Sequence, residues 1–80
     1  MGIYDVVVRR ILSLCKEQGI TPNGLSYISG VSQSTIKSIL NGESENPGIV
    51  TIKKLCDGFN ITISDFFDTA EFKGLEQEMK

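Results

Sequence analysis

Apolar residues recur along this chain at helical intervals, with short polar clusters between the runs. Tyr4, Val7, Val8, Ile11, Leu12 and Cys15 follow i, i+3, i+4, i+7 spacing, which predicts an amphipathic first helix with that stripe inward. Val6-Val7-Val8 is a β-branched triplet that could also begin a strand, but no later segment supplies a partner strand. Gly19 suits a left-handed cap at the end of this helix. Thr21-Pro22 then reads as an N-cap with proline in the first helical position, where its missing N–H costs nothing. The short second helix carries Leu25 and Ile28 inward and stops at Gly30. Val31 lies in the turn, and Ser32 caps a third helix from Gln33 to about Leu40, with Ile36 and Ile39 or Leu40 facing the core.

Asn41-Gly42 closes the third helix, and a polar loop from Glu43 to Gly48 follows. Ile49, Ile52, Leu55, Cys56 and Phe59 repeat the helical stripe in a fourth helix that stops near Asn60. Thr62-Ile63-Ser64-Asp65 has capping-box spacing and opens a short fifth helix bearing Phe66 and Phe67. The acidic stretch from Ala70 to Lys80 is either a frayed helix or a tail. The pattern is all-α, with residues 1–68 as one small domain and 69–80 as a C-terminal tail.

Composition narrows the chemistry. At 80 residues, with 40% hydrophobic and 22% charged, the chain is an ordinary small globular domain. It has no histidine, which excludes His-containing triads and His-ligated metals. Two cysteines, Cys15 and Cys56, are too few for a disulfide framework or a four-ligand zinc site. Neither an enzyme nor a cofactor or metal protein is expected. Arg9-Arg10 follows the valine triplet rather than preceding it, the reverse of a signal peptide, and no apolar run approaches the ~18 residues of a membrane span. A cytoplasmic protein without membrane contact is expected.

The net charge of −2 argues against a general polyanion binder, but the charge is unevenly placed. Residues 1–42 carry a balance of +2, with Arg9, Arg10, Lys16 and Lys37 as the cations, whereas residues 43–80 carry −4. One face only is therefore suited to an anionic partner. Gly19 to Gly24 has P-loop glycine spacing, but Leu25-Ser26 stands where that motif needs Lys and a hydroxyl. Asp65 and Asp68 read as solvated helix-terminal carboxylates rather than an acid–base pair.

The segment from Thr21 to Gly42 is more informative. Two short helices flank Gly30-Val31-Ser32, a tight turn with glycine at the bend. The second helix presents Gln33, Ser34, Lys37 and Ser38 at i, i+1, i+4, i+5 spacing, on one hydrophilic face. Such a face suits either plain solvation or a helix-turn-helix, whose second helix enters the DNA major groove by its N-terminus. Gln pairs with adenine, Lys reaches guanine or phosphate, and Ser donates or accepts.

From Tyr4 to Asp68 the chain resembles the lambda-repressor-like, XRE-family helix-turn-helix domains. The resemblance rests on Gly19-Ile20-Thr21, Leu25-Ser26, Gly30-Val31-Ser32-Gln33-Ser34-Thr35-Ile36 and Asn41-Gly42, then on Pro47, Ile52, Leu55-Cys56, Phe59 to Thr62 and Asp65-Phe66-Phe67. It implies a compact five-helix bundle that binds an operator in double-stranded DNA as a homodimer. By position it implies that Gln33, Ser34, Lys37 and Ser38 face base edges or adjacent phosphates. Thr35 and Asn41 would support backbone contacts, Thr21 would grip a phosphate, and Ser32 would complete the DNA-contacting set.

Three positions depart from the family's pattern. Pro22 stands where Gln is common, Glu43 and Glu45 occupy a loop that is often basic, and Cys15 and Leu40 replace a frequent Arg–Glu pair, which predicts that those two touch. The resulting reading is a bacterial or phage transcriptional repressor, and the alternative is an antitoxin-like protein-interaction module on the same scaffold. In the tail, Phe72, Leu75 and Met79 fall at i, i+3, i+7, an apolar stripe that either forms the dimer contact or folds back near Phe66 and Phe67.

Overall fold

The computed structural model describes residues 2–75, all of whose regular elements are helices. They are α1 (Ile3–Gln18), α2 (Pro22–Ser29), α3 (Gln33–Leu40), α4 (Ile49–Phe59), α5 (Ile63–Phe67) and α6 (Ala70–Lys73). The boundaries follow local chemistry. Gly19 and Gly30 end α1 and α2 in the left-handed region at φ 66° and 75°. Hydroxyls of Thr21, Ser32 and Thr62 each accept a backbone N–H three residues on. At α5 the box is complete, with the Thr62 N–H donating back to Asp65.

One core joins the helices, with Ile11, Leu25, Ile39, Leu55, Cys56, Phe59 and Phe66 fully enclosed. The buried stripe of α1 is not the one its spacing predicts. Val6, Val7, Ile11, Leu14 and Cys15 are buried, Val8 is half-buried, and Leu12 is 46% exposed. Helices α5 and α6 return across α1 and account for this rotation. Arg9 pairs with Glu71 of α6 at 2.9 Å, and Arg10 donates to the carbonyls of Asp65 and Phe66, both at 2.8 Å. At about 100° per residue Val6 projects between these two arginines, whereas Leu12 projects beyond Arg9, on the flank turned away from the core. Nearly opposite the two arginines on α1, the Tyr4 hydroxyl donates to the Ile39 carbonyl and ties α1 to α3.

Ile28 and Ile49, expected inward, are 49% and 65% exposed. For Ile28 the reason is the α2–α4 crossing. There α2 turns Leu25 and Ser29 inward, and a Cβ built on Gly58 would stand 2.9 Å from Ser29 Cα and Cβ. Gly58→Ala is therefore expected to destabilise the fold by about 1–2 kcal/mol, because overpacking outweighs alanine's better helix propensity. A urea melt that shows equal or greater stability would mean the helices part easily here. Ile49 opens α4 before the helix meets the core at Ile52. Cys15 is buried and Leu40 half-buried against the same core, and a carboxylate at 40 would therefore retain part of its water.

Burial raises both thiols above their ordinary pKa of 9.0, and Asp57 adds to the effect at Cys56. The unfolded chain consequently ionises its thiols first. Their stabilising contribution is complete below pH 9 and is lost as pH climbs through the raised folded values. The double variant Cys15→Ala/Cys56→Ala is expected to lose less stability between neutral and alkaline pH than the parent, measured by denaturation midpoints at each pH. An identical alkaline slope in the two proteins would exclude the thiols as its source.

Candidate nucleic-acid interface

The helix-turn-helix is built from α2, the turn at Gly30-Val31 and α3. Val31 anchors the turn in the core, and Ile36 and Ile39 bury one face of α3. Gln33, Ser34, Thr35 and Lys37 are consequently exposed, while Ser38 is half-buried. Between the start of α2 and the outer face of α3 lies an open groove of about 700 Å³ lined by Pro22, Asn23, Gln33, Ser34, Ile36, Lys37, Leu40 and Asn41. This groove brings together four of the eight expected contact residues: Gln33, Ser34, Lys37 and Asn41. Thr21, Ser32, Thr35 and Ser38 lie outside its lining.

Hydrogen bonding divides these residues by availability. The Ser32 hydroxyl accepts from the Thr35 N–H at 3.2 Å and donates to Thr35 Oγ1 at 2.8 Å, and is thus engaged as a cap. Thr21 Oγ1 accepts from the Gly24 N–H at 3.0 Å and keeps its own proton to donate. Leu25 N–H is satisfied by the Thr21 carbonyl, and Pro22 has no N–H, which leaves the Asn23 N–H, in the first turn of α2, without an acceptor among the described residues. Asn23 was not among the expected site residues. Its position directly after a proline at the start of a helix was the available signal.

The electrostatics differ from the charge balance of the sequence. Arg9 and Arg10, half of the cations in residues 1–42, hold α6 and α5 in place, so the groove has Lys37 as the cation in its lining. At the other end of α3, Asn41 Nδ2 donates to Glu43 Oε1 at 2.9 Å while the Glu43 N–H donates to Asn41 Oδ1 at 3.2 Å. A carboxylate thus stands beside the groove, and the Asn41 amide is already engaged. Glu43→Gln preserves the shape and removes the charge. It is expected to tighten DNA binding by about 0.5–1 kcal/mol, a gain that shrinks as salt is raised. Unchanged affinity at low salt would place Glu43 away from the phosphates.

Of the expected subunit-contact residues, Phe72 packs on its own subunit, 4.8 Å from the Phe67 ring centroid and 6.1 Å from that of Phe66. Leu75 is half-buried, and Met79 lies outside the described residues.

A turn anchored by buried Val31, a capped α3 with its polar face outward and an open groove beside it define a helix-turn-helix DNA-binding domain. The chain belongs to the Cro/C1-type helix-turn-helix DNA-binding domain family, whose model matches residues 10–71. Among solved structures it is similar to the prophage Lp1 protein 11, at 30% sequence identity and a TM-score of 0.81, over 94% of this chain and 100% of that one. No curated protein sequence shows significant similarity to it. It is thus a DNA-binding regulator of phage or bacterial type, all-helical, with no described helix long and apolar enough to cross a membrane.

Proposed function

We propose that this protein is a sequence-specific transcriptional repressor that binds its operator as a homodimer in the cytoplasm. The observation that carries this reading is the exposed face of α3, where Gln33, Ser34 and Lys37 stand outward over buried Ile36 and Ile39. Gln33 and Ser34 are the first two residues of α3, the end that a recognition helix inserts into the major groove. Gln33 reads a base edge, and Ser34 and Lys37 contact an adjacent base or phosphate. Thr21 Oγ1 and the Asn23 N–H hold a phosphate at the start of α2. The repressor acts by occupying its site and needs no catalytic group.

A second reading, an antitoxin-like partner for another protein, draws on the Glu43 carboxylate beside the groove and the low number of cations around it. Enrichment of bound duplexes from a random pool separates the two. The repressor reading predicts a short motif recovered with inverted symmetry, and its enrichment is lost in Gln33→Ala. Retention of duplexes with no common motif would contradict it.

A further inference from the structure

We propose that Tyr4 is a positioning residue for DNA recognition, which rests on the reading of α3 as the recognition helix. Its hydroxyl holds the C-terminal end of α3 and thereby fixes the pose in which Gln33 meets a base edge.

The end of α3 differs from those of the other long helices. Helices α1, α2 and α4 each close on a left-handed residue, Gly19, Gly30 and Asn60 at φ 66°, 75° and 60°. Such a turn satisfies last-turn carbonyls with N–H groups that follow directly in the chain. Asn41 closes α3 at φ −101° instead, and its N–H bonds the Lys37 carbonyl as in a continuing helix. The next two carbonyls are reached from outside the helix. The Ser44 N–H donates to the Ser38 carbonyl at 3.0 Å, and the hydroxyl of Tyr4, 35 residues earlier, donates to the Ile39 carbonyl. An orphan acceptor of the recognition helix is thus satisfied by a side chain of α1.

This attachment has a rigid base. The Tyr4 ring is half-buried against the core, and its oxygen stands 3.8 Å from where a Cβ on Gly42 would lie, so it touches the turn after α3 as well as the last carbonyls. The other anchors of α3, namely Val31, Ile36 and Ile39, are apolar. Burial is non-directional and tolerates a small roll or rocking of the helix, whereas a hydrogen bond at its far end does not. With eight residues, α3 is only about 12 Å long, and movement at one end displaces the other. Base reading needs its side chains placed within about 0.5 Å, a demand that a flexible lysine on a phosphate does not make. Tyr4 therefore serves discrimination between sequences rather than general attraction to DNA.

Tyr4→Phe in the full chain keeps the ring and deletes the donor. Its affinity for the enriched duplex should fall about tenfold, within the range that one base-reading pair commands. Its affinity for a random duplex, and the salt dependence of that affinity, should stay as in the parent. In the free protein, amide hydrogen exchange at Leu40 and Asn41 should quicken about tenfold while Leu25 stays as protected as before. In a Gln33→Ala background Tyr4→Phe should cost little further, because the side chain it places is gone. A tyrosine with a merely structural role would not show that coupling. Unfolding of Tyr4→Phe, unchanged exchange, equal losses on both duplexes, or a full further loss on top of Gln33→Ala would overturn the proposal. A parent that prefers no duplex would refute base reading by α3, and the recognition role of Tyr4 with it. The exchange rates need no DNA and would then show whether the tie itself had held, which tells the two failures apart.

Discussion

Phe66→Ala is expected to destabilise the domain by about 3–5 kcal/mol, the largest effect of any single truncation considered. Phe66 is fully buried where α5 meets the core, with its ring edge-on to Phe67 at 4.9 Å and tilted toward Phe72 at 6.1 Å. The Arg10 guanidinium lies 5.9 Å from the ring centroid, and its Nε donates to the Phe66 carbonyl. Truncation leaves a cavity and removes the ring on which Phe67 and Phe72 pack. A domain of this size has about 5–10 kcal/mol of stability in total, so the variant should be largely unfolded at modest urea concentrations. Phe67→Ala, at a half-buried ring, should cost distinctly less. Equal midpoints for the two variants would mean that the aromatic cluster, and not the core beneath it, sets the cost.

The second large effect is on recognition. Gln33→Ala is expected to cost about 1–3 kcal/mol on the preferred operator and to relax discrimination at one base position. Lys37→Ala should behave differently if its ammonium meets a phosphate. It should weaken all sequences alike and make the dependence of log affinity on log salt shallower by about one. The contrast matters more than either magnitude. Both residues are exposed on the same face of α3, so equal losses on all duplexes for Gln33→Ala would remove it from base reading.

The features legible in the sequence are those whose causes are local. Thr21, Ser32 and Thr62 cap helices through contacts three residues away, and Gly19 and Gly30 stop helices through their own φ. The polar face of α3 was legible for the same reason, because burial of Ile36 and Ile39 leaves Gln33, Ser34 and Lys37 no inward direction. The face of α1 was not, since it depends on α5 and α6, which are tied to Arg10 and Arg9 on the flanks of buried Val6, while Leu12 is left largely in water. Periodicity within one helix carries no information about which neighbour arrives later. The same long-range contacts explain the misleading charge count, in which Arg9 and Arg10 suggest a basic face but serve as ties to α6 and α5. The Asn41–Glu43 contact is local and could have been read from Asn-Gly-Glu, since Asn side chains readily bond two residues on.

The central claim is that α3 reads sequence with modest help from charge. Affinity for the enriched palindrome and for a random duplex, each measured across a salt series, tests it most directly. With Lys37 as the cation lining the groove, the slope should correspond to only about 3–5 phosphates per subunit. The palindrome should be preferred by at least about 10³-fold at physiological salt. A steep slope shared by both duplexes with no preference between them would contradict the account.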